Sequence, residues 1–132
     1  MPREKLPDFR KRKTHSGTIY VDGTRDEVKV HITMNTYVDG RPAELFVKTD
    51  QHKFADSWAI AVSLYLQSGG DIKTVVRKFA FQNFFPFGRT NNPNIGFARS
   101  IVDYVARWID WEYGGRVTFG NDVSKESEAK DG

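Results

Sequence analysis

The chain has 132 residues, 39% of them hydrophobic and 14% aromatic, which is enough apolar mass for one domain with its own core and too much for a disordered chain. It contains no cysteine, so disulfides, thiolate metal sites, thiol redox work and thiyl-radical chemistry are excluded within it. The net charge of +3 suits an anionic ligand without requiring one.

The chain opens with MPREKLPDFRKRK, where Arg3, Lys5, Arg10, Lys11, Arg12 and Lys13 outweigh Glu4 and Asp8. Residues 1–16 read as a flexible basic arm, solvated or able to touch nucleic acid or phosphate. No apolar stretch follows the charges as in a signal peptide. No run reaches the ~18 apolar residues that span a bilayer, so a soluble, cytoplasmic protein with no membrane partner is expected.

Residues 17–115 read as a single domain. GTIYVDG is a short strand bounded by glycines. In EVKVHITMNTY, Val28, Val30, Ile32 and Met34 alternate with Lys29, His31, Thr33 and Asn35, the period of a half-buried strand. Asp39-Gly40 then makes a turn, and a further strand over about Ala43 to Lys48 follows, so the pair is expected to be antiparallel. A helix runs from about Lys53 to Gly69-Gly70 and is apolar on most sides, through Trp58, Ile60, Ala61, Val62, Leu64, Tyr65 and Leu66. Asp71 caps a second helix with Ile72, Val75, Val76 and Phe79 inward. A third is expected from about Ile95 to Tyr113, with Phe97, Ile101, Val105, Trp108 and Ile109 on its apolar stripe; on the other face Arg107 and Asp110 read as a solvated ladder, which Arg99 and Asp103 either join or leave to turn toward a ligand. Residues 116–132 form an acidic tail expected to be disordered. The predicted fold is α+β: a small antiparallel sheet of about three strands followed by a layer of three helices.

Between the second and third helices lies FQNFFPFGRTNNPNIGFARS, whose aromatics follow no helix or strand period. One reading makes it a ligand loop. Phe84, Phe85 and Phe87 would stack on a base, Asn91, Asn92 and Asn94 would read sugar or base edges, and Arg89, Arg99 and Asp103 would meet phosphate and ribose at the positive end of the last helix. The plainer reading has Pro86 and Pro93 stiffening a connection, Asn94 capping the helix and the phenylalanines filling the core. His15, His31 and His52 have no metal-ligand spacing, no Ser-His-Asp set or phosphate-binding glycine motif is evident, and no metal or cofactor is expected.

DGRPAELFVK (39–48), FADSWAIAVSLYLQSG (54–69), VRKFAFQNFF (76–85) and NPNIGFARSIVDYVARW (92–108), in that order, resemble the C-terminal, TSCPD-type region of adenosylcobalamin-dependent (class II) ribonucleotide reductases. LPDFRKRKTHSGTI is similar to the linker before that region. The resemblance implies a module that accompanies nucleotide chemistry. It does not carry reductase catalysis, because the radical and reducing cysteines and those that name the domain have no counterpart here. The expectation is a non-enzymatic, small-nucleotide-binding protein, in one version a phage anti-defence sponge that sequesters cyclic nucleotide signals. The alternative is a separately encoded accessory subunit of a B12-dependent ribonucleotide reductase, with the large reductase subunit as partner. The apolar excess of the first helix, the tryptophans and the phenylalanines further predicts a homo-oligomer.

Overall fold

The structure, a computed structural model, describes residues 11–114. Most of the basic arm and all of the acidic tail expected from the sequence lie outside the described residues. Strand β1 (Arg12–Val21) starts inside the segment read as an arm and pairs along its length with β2 (Glu27–Thr36), so Arg12 to Ser16 are sheet residues. β2 pairs in turn with β3 (Pro42–Thr49) through the Asp39-Gly40 turn, where the Asp39 carboxylate accepts from the Arg41 backbone N–H at 3.0 Å and from Arg41 Nε at 2.7 Å. Those bonds hold the Asp39 carboxyl below its ordinary range. The alternation read from Val28 to Met34 is observed, with all four apolar residues buried.

The sheet has five strands rather than three. β4 (Gly88–Thr90) pairs with β1, and β5 (Phe97–Ala98) pairs with β4, all antiparallel in the order β3-β2-β1-β4-β5. Both added strands come from the phenylalanine-asparagine segment. At three and two residues they are too short to display a period.

Helix α1 (Phe54–Gln67) lies along β3, the edge of the sheet. Ala55, Ala59, Val62 and Leu66 face the core, and two buried polar residues satisfy the free edge of the strand. The Ser63 hydroxyl accepts from the Leu45 N–H at 2.8 Å, and the Gln67 amide donates to the Ala43 carbonyl at 3.0 Å. An edge that would otherwise offer unpaired backbone groups is thereby closed. Helix α2 (Ile72–Phe79) starts at Asp71 as expected, its carboxylate accepting from the Lys73 N–H at 2.9 Å.

Helix α3 spans Ile101–Glu112 and begins six residues later than the apolar spacing predicts. Phe97 and Ala98 are drawn into the sheet, and Ser100, not Asn94, is the cap. Its hydroxyl accepts from the Asp103 N–H at 2.9 Å and donates to the Gln82 carbonyl at 2.7 Å. Phe97 therefore leaves the expected apolar stripe, while Ile101, Val105, Trp108 and Ile109 remain buried. α3 passes over β1 at Gly17, where a Cβ would stand 1.8 Å from the Tyr104 hydroxyl oxygen, so only glycine permits this approach.

Candidate functional site

Two arrangements grow out of the segment from Phe81 to Ser100. The first is internal. Asp103 is fully buried, and its carboxylate accepts from the Phe81 N–H (2.6 Å), the Arg99 N–H (2.8 Å), Arg107 Nε (3.0 Å) and an Arg107 terminal nitrogen (3.1 Å). Arg107 also donates to the carbonyls of Ile95, at 3.2 Å, and Phe97. The guanidiniums of Arg107 and Arg99 lie over the Phe81 ring, at 4.8 and 5.7 Å from its centroid. Phe81 itself has a positive φ of 65°, a conformation that a bulky residue adopts only when its surroundings hold it there. The expected solvated ladder is thus a buried knot instead: Asp103 and Asp110 are buried, and the Asp103–Arg107 pair ties the loop to α3. The start of α3 is occupied by the protein's own carboxylate and serine hydroxyl.

The asparagines also serve the framework. Asn91 extends the strand pairing, its side-chain oxygen accepting from the Thr18 N–H (2.9 Å) and its N–H donating to the Thr18 carbonyl (3.2 Å). The Asn92 side chain accepts from the Asn94 N–H at 2.9 Å, and its own N–H donates to the Thr90 hydroxyl at 3.1 Å. Together these bonds shape the turn between β4 and β5. Phe87 is half-buried, and its carbonyl accepts from the Asp22 N–H at 2.8 Å.

The second arrangement faces outward. Phe84 and Phe85 are 37% and 63% exposed, and they meet His52 and Phe54 from the start of α1. Phe54 is itself 41% exposed. Ring centroids are 5.8 Å apart for Phe54 and Phe84, 6.2 Å for His52 and Phe54, and 6.3 Å for His52 and Phe85, all edge-to-face. The backbone beneath is fixed: the Phe84 N–H donates to the Arg99 carbonyl at 3.0 Å, Pro86 is buried, and Thr49 brackets His52 through its hydroxyl. No side chain caps the N-terminus of α1, where Lys53 stands with Asp56 in the first turn. Phe85 is thus a surface ring rather than a core one. His52 and Phe54 were not legible as partners, because about thirty residues separate them from the loop and no spacing links them.

Arg89 is exposed in β4, opposite Tyr20 of β1 and Phe97 of β5. Arg99 is exposed just before the α3 cap. Among the described residues no group of three or more His, Asp or Glu side chains is placed to hold a metal ion.

One titrating group sits between β1 and α3. His15 shares a 2.7 Å hydrogen bond with the Tyr104 hydroxyl and stacks on Tyr104 and Trp108, each 5.8 Å away by ring centroid. Burial lowers the His15 pKa from its ordinary 6.5, with Glu112 pulling the other way, and burial raises that of Tyr104. The unfolded chain therefore takes the proton more readily than the folded one. This contribution to stability is intact above pH 6.5 and is lost as the pH falls from there through the lowered folded value. A melting temperature that drops between about pH 7 and about pH 5 in the native chain, and less in His15→Asn, is the expected result. Asp39 adds its own loss only below its ordinary 3.8.

A family model described as the TSCPD domain matches residues 2–113. The chain is 35% identical to a vitamin B12-dependent ribonucleotide reductase of Rhodopirellula baltica, over 96% of this chain and 12% of that protein. It is 38% identical to the enzyme so named in Bradyrhizobium diazoefficiens, over 84% of this chain and 9% of that protein, and 34% identical to that of Streptomyces avermitilis, over 84% and 11%. The chain thus spans about a tenth of the length of these relatives. No solved structure matches it.

Proposed function

Since this chain belongs to the TSCPD domain family, we propose that it is a non-catalytic module that binds a small nucleotide. The observation that carries this reading is the outward aromatic cluster of Phe54, Phe84 and Phe85. Large rings held half in water on a fixed backbone cost solvation and return little to the core, whereas each stacked base is worth about 1–3 kcal/mol. Beside the rings, Lys53 and the positive end of the α1 dipole favour a phosphate, although the Ala55 and Asp56 N–H groups already donate to the His52 and Lys53 carbonyls. Asp56 in the first turn opposes a high negative charge, which favours a cyclic or monophosphate ligand over a triphosphate. In its most specific form the module sequesters such a ligand in the cytoplasm, as an anti-defence sponge would. Self-association through the exposed Ile60, Leu64 and Tyr65 of α1 belongs to the same reading.

Calorimetry against a panel of cyclic and linear mononucleotides tests the proposal. Binding is expected in the native chain and is expected to weaken at least about tenfold in Phe85→Ala. The fold of that variant should lose less than about 0.5 kcal/mol, as exposed substitutions do. Absence of binding at high micromolar nucleotide would sink the reading.

A second reading is favoured by the similarity to B12-dependent reductases: an accessory subunit that docks on a large reductase chain. It predicts co-purification with such a chain lacking this region and a rise in its activity on mixing.

A further inference from the structure

The strand register places a second set of rings on the face of the sheet that no helix covers. Directly opposed residues of an antiparallel pair share a face. Tyr20 pairs with Arg89 and Arg89 with Phe97, so an aromatic, a guanidinium and an aromatic stand in one row across β1, β4 and β5. Tyr20 is 44% exposed and Phe97 42% exposed. The Arg89 guanidinium makes no hydrogen bond or ion pair among the described residues. The inner face of the same strands, carrying Ile19, Val21 and Ala98, is buried, so the row does not belong to the core.

Charge continues along this outer face. Lys29 of β2 pairs with Thr18, and His31 pairs with Ser16 on one side and Lys48 of β3 on the other, all sharing the face of Tyr20 by register. Of the two carboxylates on this face, Glu27 and Glu44, the second is bonded to the Asn35 amide at 2.9 Å. An open antiparallel sheet with rings separated by cations fits a polymer that alternates flat bases with phosphates. A single strand can lay its bases on the rings and its backbone along the lysines, whereas a duplex hides its base faces.

We propose that the outer face of the sheet binds single-stranded nucleic acid, with Tyr20 and Phe97 as stacking platforms and Arg89, Lys29 and Lys48 as phosphate contacts. The site is distinct from the Phe84–Phe85 cluster, and the two readings stand or fall separately because one is probed with mononucleotides and the other with oligomers.

Fluorescence anisotropy with labelled oligothymidylate, oligouridylate and a duplex of equal length is the test. Single strands are expected to bind more tightly than the duplex, and the DNA and RNA arms tell which polymer is preferred. Tyr20→Ser and Phe97→Ser should each weaken single-strand binding about tenfold, with Tyr20→Phe restoring it. Arg89→Ala should reduce the slope of log affinity against log salt by about 1. Circular dichroism of each variant checks that the fold is kept. The proposal is overturned if single strands fail to bind near 50 mM salt, if the duplex binds equally well, or if the ring substitutions leave affinity unchanged. It is also overturned if Tyr20→Ser and Phe97→Ser instead convert an oligomer to a monomer in sedimentation without affecting oligonucleotide binding, because the face then belongs to a second copy of the chain.

Discussion

Asp103→Ala is expected to cost about 3–5 kcal/mol of folding stability, the range found when one member of a buried ion pair is removed. The reason is the number of groups left behind. The Arg107 guanidinium loses its counter-charge, and the N–H groups of Phe81 and Arg99 lose the acceptor they reach at 2.6 and 2.8 Å. A buried donor without a partner costs its full desolvation. Asp103→Asn should recover part of the loss, since the amide oxygen still accepts but the charge is gone. Urea unfolding monitored by tryptophan fluorescence would measure both. A loss below about 1 kcal/mol for the alanine variant would show that the carboxylate does not organise this junction. Because the same carboxylate positions the segment from Phe81 to Arg99, nucleotide binding at Phe84 and Phe85 should fall along with stability.

Gly88→Ala is the second large effect. A Cβ at this position would stand 1.8 Å from the Tyr20 carbonyl oxygen and 2.8 Å from its carbon. Both are backbone atoms of β1, so no side-chain rotation relieves the clash and β4 must move away. The expected cost is at least the about 1–3 kcal/mol of an overpacked site. Hydrogen exchange should report it at the Asp22 amide, which donates to the Phe87 carbonyl, and at the Asn91 amide, which donates to the Thr18 carbonyl. Both should exchange faster while the β1–β2 and β2–β3 ladders stay protected. Unchanged protection at Asp22 and Asn91 would contradict the register described here. Oligonucleotide binding on the outer face should weaken too, because this pairing sets Arg89 and Phe97 in line with Tyr20.

Much of the fold is legible in the sequence. The alternation from Val28 to Met34, the Asp39-Gly40 turn and the Asp71 cap each depend on neighbours a few residues away, and each is found where the spacing put it. The start of the last helix was not. Phe97, Ile101 and Val105 have helical spacing, yet Phe97 pairs with Arg89 instead, and Ser100 rather than Asn94 supplies the cap. The site residues divide in the same way. Phe84, Phe85 and Arg89 lie at the surface, whereas Asp103, Asn91 and Asn92 are taken up by the backbone of the loop itself.

The amino-acid sequence by itself determined what is local or inherited: strands β2 and β3, the second half of β1, the first two helices, the α+β class and the family, all of which rest on period, capping chemistry and motifs in order. Tertiary structure alone decided the two short strands that enlarge the sheet, the burial of Asp103 and Asp110, the meeting of His52 and Phe54 with Phe84 and Phe85, and the row of Tyr20, Arg89 and Phe97. Each of these depends on contacts between residues far apart in the chain. A two- or three-residue strand and a carboxylate on a helix face carry no period that tells water from protein on the other side, so only the packed neighbours could choose between them.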